Sequence, residues 1–214
     1  MRVWDLPTRL FHWALLALVV CSFVTAEIDE LAWHERSGYC VLALLVFRLI
    51  WGVVGSDTAR FTRFLRGPGA VWRYLRASCA AAPDIEMGHN PAGGWAVVAM
   101  LLVLCVQVGT GLFADDDISE AGPFAIYVER PTRRLLTGLH QRNFWLLAGL
   151  VSLHILAISG YWAVRRQNLV WPMVTGMKSL PVGGTVPRLR STWIAIAAFG
   201  LAVAMAIWVA SFAS

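Results

Sequence analysis

Five stretches of this chain, about residues 10 to 26, 37 to 55, 93 to 114, 144 to 164 and 193 to 213, are each long and apolar enough to cross a lipid bilayer. In hydrocarbon no water is present to satisfy peptide groups, so every span must bond within itself and is expected as a helix. Composition agrees: 58% of the 214 residues are hydrophobic and only 14% charged, against about a quarter charged in an ordinary soluble domain. The expected fold is an all-α integral membrane protein whose first partner is the lipid bilayer. The first two runs are short, so their helices are expected to extend beyond the apolar core. Pro7 and Asn90-Pro91 read as helix entries, and Gly55, Gly67 and Pro68 as the exit from the second helix. The opening lacks a clear small-residue cleavage site, and its run is read as a retained helix. No internal repeat is visible.

The net charge of +5 comes almost wholly from arginine, since Lys178 is the only lysine. Arg60, Arg63, Arg66, Arg73 and Arg76 crowd the second connection, and Arg165, Arg166, Lys178, Arg188 and Arg190 the fourth; both are expected on the cytoplasmic side. The first connection is acidic, with Glu27, Asp29, Glu30 and Glu35. The third holds Asp115, Asp116, Asp117, Glu120 and Glu129 before Arg130, Arg133 and Arg134. This charge pattern expresses topology rather than nucleic-acid binding, with the N-terminus inside and, after five spans, the C-terminus outside. Most of the eleven Trp fall near the ends of apolar runs, as interfacial anchors do. The residues from Phe61 to Tyr74 interleave aromatics with arginines and suit either a short surface helix or a solvated loop. Cys21, Cys40, Cys79 and Cys105 stand far apart without a C-x-x-C pair, which removes support for covalent c-type haem and disulfide scaffolds.

Four of five histidines, His12, His34, His140 and His154, lie in or at the ends of apolar spans, where ionisable groups are costly and mark function. His140 and His154 are 14 residues apart, about 21 Å along one helix, and differ by only about 40° in direction. They share a face at two depths. His12, near the inner end of the first helix, and His34, at the outer start of the second, offer one partner each, so the topology pairs His12 with His154 and His34 with His140. His154 sits about 15 Å from the inner end of its run, deeper than His12, a difference that tilt or an earlier helix start must absorb. Two imidazoles on opposite faces of a porphyrin close both axial positions and leave an electron carrier, here with two haems b and their iron. A single such histidine is equally well explained by a hydrogen bond between helices; four at two depths favour ligation. Zinc lacks a third ligand at either pair. His89, in Gly88-His89-Asn90-Pro91, reads as a capping or turn residue.

Arg48, inside the second run, and Arg9 are candidates for the propionates of an inner haem, with snorkelling to headgroups the competing account for Arg48. Arg36 and Arg142 are the outer counterparts. Gly38, Gly109, Gly111, Gly149 and Gly160 would allow close approach of a flat macrocycle, or simply close helix packing.

At these residues the chain resembles the bacterial cytochrome b561 family and the related b-type cytochrome subunit of nickel-iron hydrogenases. The resembling passages are residues 3 to 13 (VWDLPTRLFHW), Trp33-His34-Glu35, Arg48 to Gly52, Gly88 to Pro91, the helix bearing His140 and His154, and residues 168 to 176 (NLVWPMVTG). The likeness covers about residues 2 to 178. It implies a four-helix transmembrane haem-binding bundle over residues 1 to 178, followed by a linker and fifth transmembrane helix over 179 to 214, in a bacterial inner membrane. It carries the family's ligand positions onto His12, His34, His140 and His154.

The function expected is electron transfer between the quinone pool and a periplasmic redox partner, either a c-type cytochrome or a hydrogenase-like subunit. A second copy of the chain is a further candidate partner. The alternative is a stand-alone quinone-dependent oxidoreductase acting on a small oxidant or reductant, and the residues do not decide between carrier and enzyme. A haem-free transporter is disfavoured by unbroken helices and the lack of inverted repeats. The acidic run Asp115 to Asp117 would steer a basic partner, or is simply a solvated loop.

Overall fold

The computed structural model describes residues 1–77, 87–116, 120–179 and 186–213. Five helices in it are long and apolar enough to cross a membrane: α1 (Leu6–Glu27), α2 (Leu31–Val54), α5 (Pro91–Gly111), α6 (Arg130–Arg165) and α8 (Thr192–Ala210). Between them lie the short helices α3 (Phe61–Phe64), α4 (Pro68–Ala77) and α7 (Val170–Thr175). The stretch expected as one surface helix or a loop is therefore two helices, divided where Leu65 turns extended ahead of Gly67-Pro68. α4 carries exposed Trp72 and Leu75.

Helix starts lie earlier than the apolar runs. Asp5 caps α1 by accepting from the Thr8 amide at 2.8 Å, with Pro7 in the first turn. Asn90 does the same for α5 through the Gly93 amide at 2.7 Å. The largest correction concerns α6, which has 36 residues and begins at Arg130, so Arg130, Arg133 and Arg134 belong to its first turns rather than to a connection. Arg133 donates to Asp115 at 2.6 Å, which ties that charged end of α6 to the chain leaving α5.

The closest backbone packing joins α1 to α2, α5 to α6, and α2 to α8, with α2 also meeting α5. α2 is thus the hub. Its Val41, Leu44, Leu45, Phe47 and Trp51 form the core with Phe11, Leu101, Leu104 and Leu147 from the other three bundle helices. α8 leans on α2 outside the four-helix group through Ala195, Ala198, Ala202 and Ala206, small residues that let two backbones approach.

The end of the bundle that holds the N-terminus is tightly knit. Val3 and Trp4 amides donate to the Gly176 carbonyl at 2.7 and 3.2 Å, Thr58 Oγ1 to the Val3 carbonyl at 2.8 Å, and Trp51 Nε1 to Asp5 at 3.1 Å. Arg9 Nη1 and Trp13 Nε1 reach the carbonyls of Val174 and Met173. The opening passage and residues 168 to 176 are therefore one docked unit. Gly176 has φ +80 and would put a Cβ 2.8 Å from the Trp4 carbonyl, which explains a glycine there.

Candidate functional site

The histidines meet at two levels. His12 on α1 and His154 on α6 have ring centres 6.5 Å apart; His34 on α2 and His140 on α6 have ring centres 5.9 Å apart. The pairing expected from topology is thus the pairing by proximity.

The depth difference between His12 and His154 disappears once helix ends are located by their contacts. Asn90 Nδ2 donates to the Tyr161 hydroxyl at 2.7 Å, so Tyr161, not Arg165, is level with the start of α5. His154 lies seven residues below Tyr161, and His12 seven below the Asp5 cap, about 10 Å in each case. Trp4 next to Asp5 touches His89 next to Asn90, with ring centres 4.9 Å apart, which sets the two reference points side by side. The last turn of α6 projects beyond.

At the other level both imidazoles are held by main-chain carbonyls. His34 Nδ1 donates to the Ser22 carbonyl at 2.8 Å and His140 Nδ1 to the Gln107 carbonyl at 2.8 Å. A carbonyl only accepts, so Nδ1 carries the proton in each and the lone pair is on Nε2. The Gln107 amide group lies 3.3 Å from the His140 ring and accepts from Asn143 Nδ2 at 2.8 Å. Gly111 makes this possible, because a Cβ there would stand 2.9 Å from His140 Cε1.

A cavity of about 560 Å³ surrounds this pair, lined by Val19, Phe23, Gly38, Leu104, Gly111 and Phe144 among others, a volume in the range of cofactor sites. Gly38 lies one turn from His34, and a Cβ built on it meets nothing within 4 Å. Gly109, Gly149 and Gly160 likewise face open space and make no close approach. Neither Arg36, which stacks on Trp33, nor Arg142 lines the cavity; its charged rim is acidic, with Glu27, Glu35, Asp115, Asp116 and Glu120. Asp117 lies outside the described residues.

At the His12 level the buried nitrogens His12 Nδ1, Arg48 Nη1 and His89 Nδ1 have no hydrogen-bond partner among the described residues. Arg48 is 3% exposed and its guanidinium lies over the Phe61 ring at 4.9 Å. Arg9 Nε is also buried and unpartnered while Nη1 is engaged by Val174. His89 is not the capping residue, since Asn90 takes that role; it packs against Trp4 and Phe64. Burial, then the nearby charges of Arg48, His154 and His12, push its imidazole pKa down to about 3, so it is neutral.

Ser22, Gln107 and Asn143 are residues that reading from sequence missed, and His89 is one whose expected capping role Asn90 takes instead. Gln107 had a signal, being a polar side chain inside an apolar run. Among the described residues no group of three or more His, Cys, Asp or Glu converges, and the imidazoles stand in pairs. Such pairs suit a cofactor that brings its own equatorial ligands, as a porphyrin does.

No curated protein and no solved structure matched the chain. The family described as prokaryotic cytochrome b561 matches residues 3–176, a stretch holding all four bundle helices and both histidine pairs. The protein belongs to the prokaryotic cytochrome b561 family and is a membrane b-type cytochrome of electron transfer.

Proposed function

We propose that the protein is a di-haem carrier, in which His12 with His154 and His34 with His140 each ligate one haem b, and which moves electrons between membrane quinone and a periplasmic redox partner. The observation that carries this reading is the spacing of the rings. Imidazoles bound through one nitrogen at about 2 Å on opposite sides of one metal have centres about 6 Å apart, and the two pairs stand at 5.9 and 6.5 Å. Haem b, when bound, supplies a one-electron couple whose potential its surroundings tune.

The chain's own part is to hold and bias. Main-chain carbonyls of Ser22 and Gln107 fix the tautomer and rotation of His34 and His140 and raise their basicity. His12 with His154 and His34 with His140 would hold the haem irons, which would then supply electron transfer rather than dioxygen chemistry. Arg48, with its buried unpaired Nη1, and Arg9, with Nε, are the groups offered to propionates at the His12 level. The 14 residues between His140 and His154 separate the two levels by about 21 Å, enough to relay charge from one side of the bilayer toward the other. The arginine-rich end is assigned to the cytoplasm and the C-terminus to the periplasm of a bacterial inner membrane. Residues 1 to 178 form the di-haem unit, and 179 to 214 a linker and the fifth transmembrane helix.

Two measurements test this. Alkaline pyridine spectra of the purified protein should give two haems b per chain; one or none contradicts the reading. With quinol and no protein partner, the purified cytochrome should be reduced once without turnover, and steady reduction of an added small oxidant would instead make it a self-sufficient oxidoreductase.

A further inference from the structure

Where the α2 span ends, a second cavity of about 750 Å³ is lined, among the described residues, by Arg60, Arg63, Arg66, Arg188 and Arg190 around one carboxylate, Asp57. It lies outside the histidine pairs, with His89 in its wall. One acid does not balance five guanidinium groups. Asp57 is itself occupied: it forms an ion pair with Arg60, lies 3.8 Å from Arg63 Nε, and accepts from the Arg188 amide at 3.0 Å. The formal balance of these six side chains is +4.

The basic wall is built by the backbone. The Asp57 amide donates to the Arg188 carbonyl at 3.1 Å, and the Arg190 amide to Ser56 Oγ at 2.9 Å. These bonds hold the chain before α8 against the exit of α2, so the arginines of two remote segments converge through their backbone amides rather than through their own side chains. Ser56 is fully buried. Arginine forks pair with the oxygens of phosphate in two-point geometry, and a low-dielectric wall strengthens the pairing.

The level of the cavity favours lipid as the source of that phosphate. Gly55 at its rim directly follows the α2 span, and Arg190 stands two residues before α8. The Arg66 carbonyl accepts from the indole of exposed Trp95 at 2.8 Å, an aromatic at the start of the α5 span, where interfacial anchors sit. Beside it α4 exposes Trp72 and Leu75, an amphipathic helix suited to lie in the headgroup plane. Basic pockets between transmembrane helices at this depth suit anionic headgroups. We propose that this arginine cavity is a binding site for the headgroup phosphate of an anionic phospholipid.

The test uses the full-length holoprotein in mild detergent, titrated separately with short-chain phosphatidylglycerol, short-chain phosphatidylcholine and inorganic phosphate, with binding read by native mass spectrometry. The triple variant Arg63→Gln, Arg66→Gln, Arg190→Gln should bind phosphatidylglycerol about a hundredfold more weakly. Its haem spectrum should be unchanged. Arg63→Gln alone, whose side chain is 64% exposed and thus dispensable for folding, should show a smaller loss in the same direction. Equal binding of both lipids by the parent protein, or unchanged phosphatidylglycerol binding in the variants, overturns the proposal. Inorganic phosphate that displaces phosphatidylglycerol at equal concentration would assign the cavity to a soluble anion and overturn the lipid source.

Discussion

Gly111 shows how one missing side chain sets a whole site. A Cβ there would stand 2.9 Å from His140 Cε1, so Gly111→Val should turn the imidazole off the Gln107 carbonyl and remove one haem component from the reduced-minus-oxidised spectrum while leaving the other. Retention of both components would mean that His140 is not held where the account needs it. The histidines were legible in sequence because ionisable groups in apolar runs are conspicuous. Their carbonyl partners were not, since a main-chain acceptor has no residue signature and depends only on where two helices touch. His89 was misread for a related reason: it neighbours Asn90, a good capping residue, and local sequence could not tell which of the two turned inward. Arg48 was legible as a buried charge, but its seat on Phe61 depends on the turn after α2 folding back.

At the scale of elements, apolar runs found all five spans but not their ends. Capping residues set those ends, and in α6 the first turns are charged, so hydropathy could not include them. The alanine stripe of α8 is an element-scale device: Ala202 is fully buried against α2, and Ala202→Leu should cost about 1–3 kcal/mol by overpacking. That loss should be seen as a lower thermal midpoint in detergent with the haem spectrum intact; loss of haem would show that α8 supports the cofactor bundle directly. The clamp between the α2 exit and the chain before α8 also has a pH signature. The Arg188 amide, and next the Arg60 guanidinium, hold the Asp57 carboxyl below the usual carboxylate range despite its partial burial. Its stabilisation is therefore complete above the unfolded value near about 4 and is lost as pH falls through the lowered folded value. Asp57→Asn should lower stability at neutral pH and flatten the acid limb of the stability profile; an acid limb as steep as the parent's would remove Asp57 from the clamp.

Across the whole molecule, two helical hairpins, α1 with α2 and α5 with α6, stand so that α6 faces both other histidine-bearing helices at different depths. The sequence carried the order of helices and the 14-residue interval on α6, and from these the pairing followed. The match of depths did not follow, because it depends on Tyr161 meeting Asn90 and on Trp4 meeting His89 across remote parts of the chain. The central proposal is that each level is one haem held by one histidine pair. The most direct measurement is the resolved reduced-minus-oxidised spectrum of four single variants. His34→Ala and His140→Ala should each erase the same component, and His12→Ala and His154→Ala the other; if His34→Ala and His154→Ala erased the same component, the account would be contradicted.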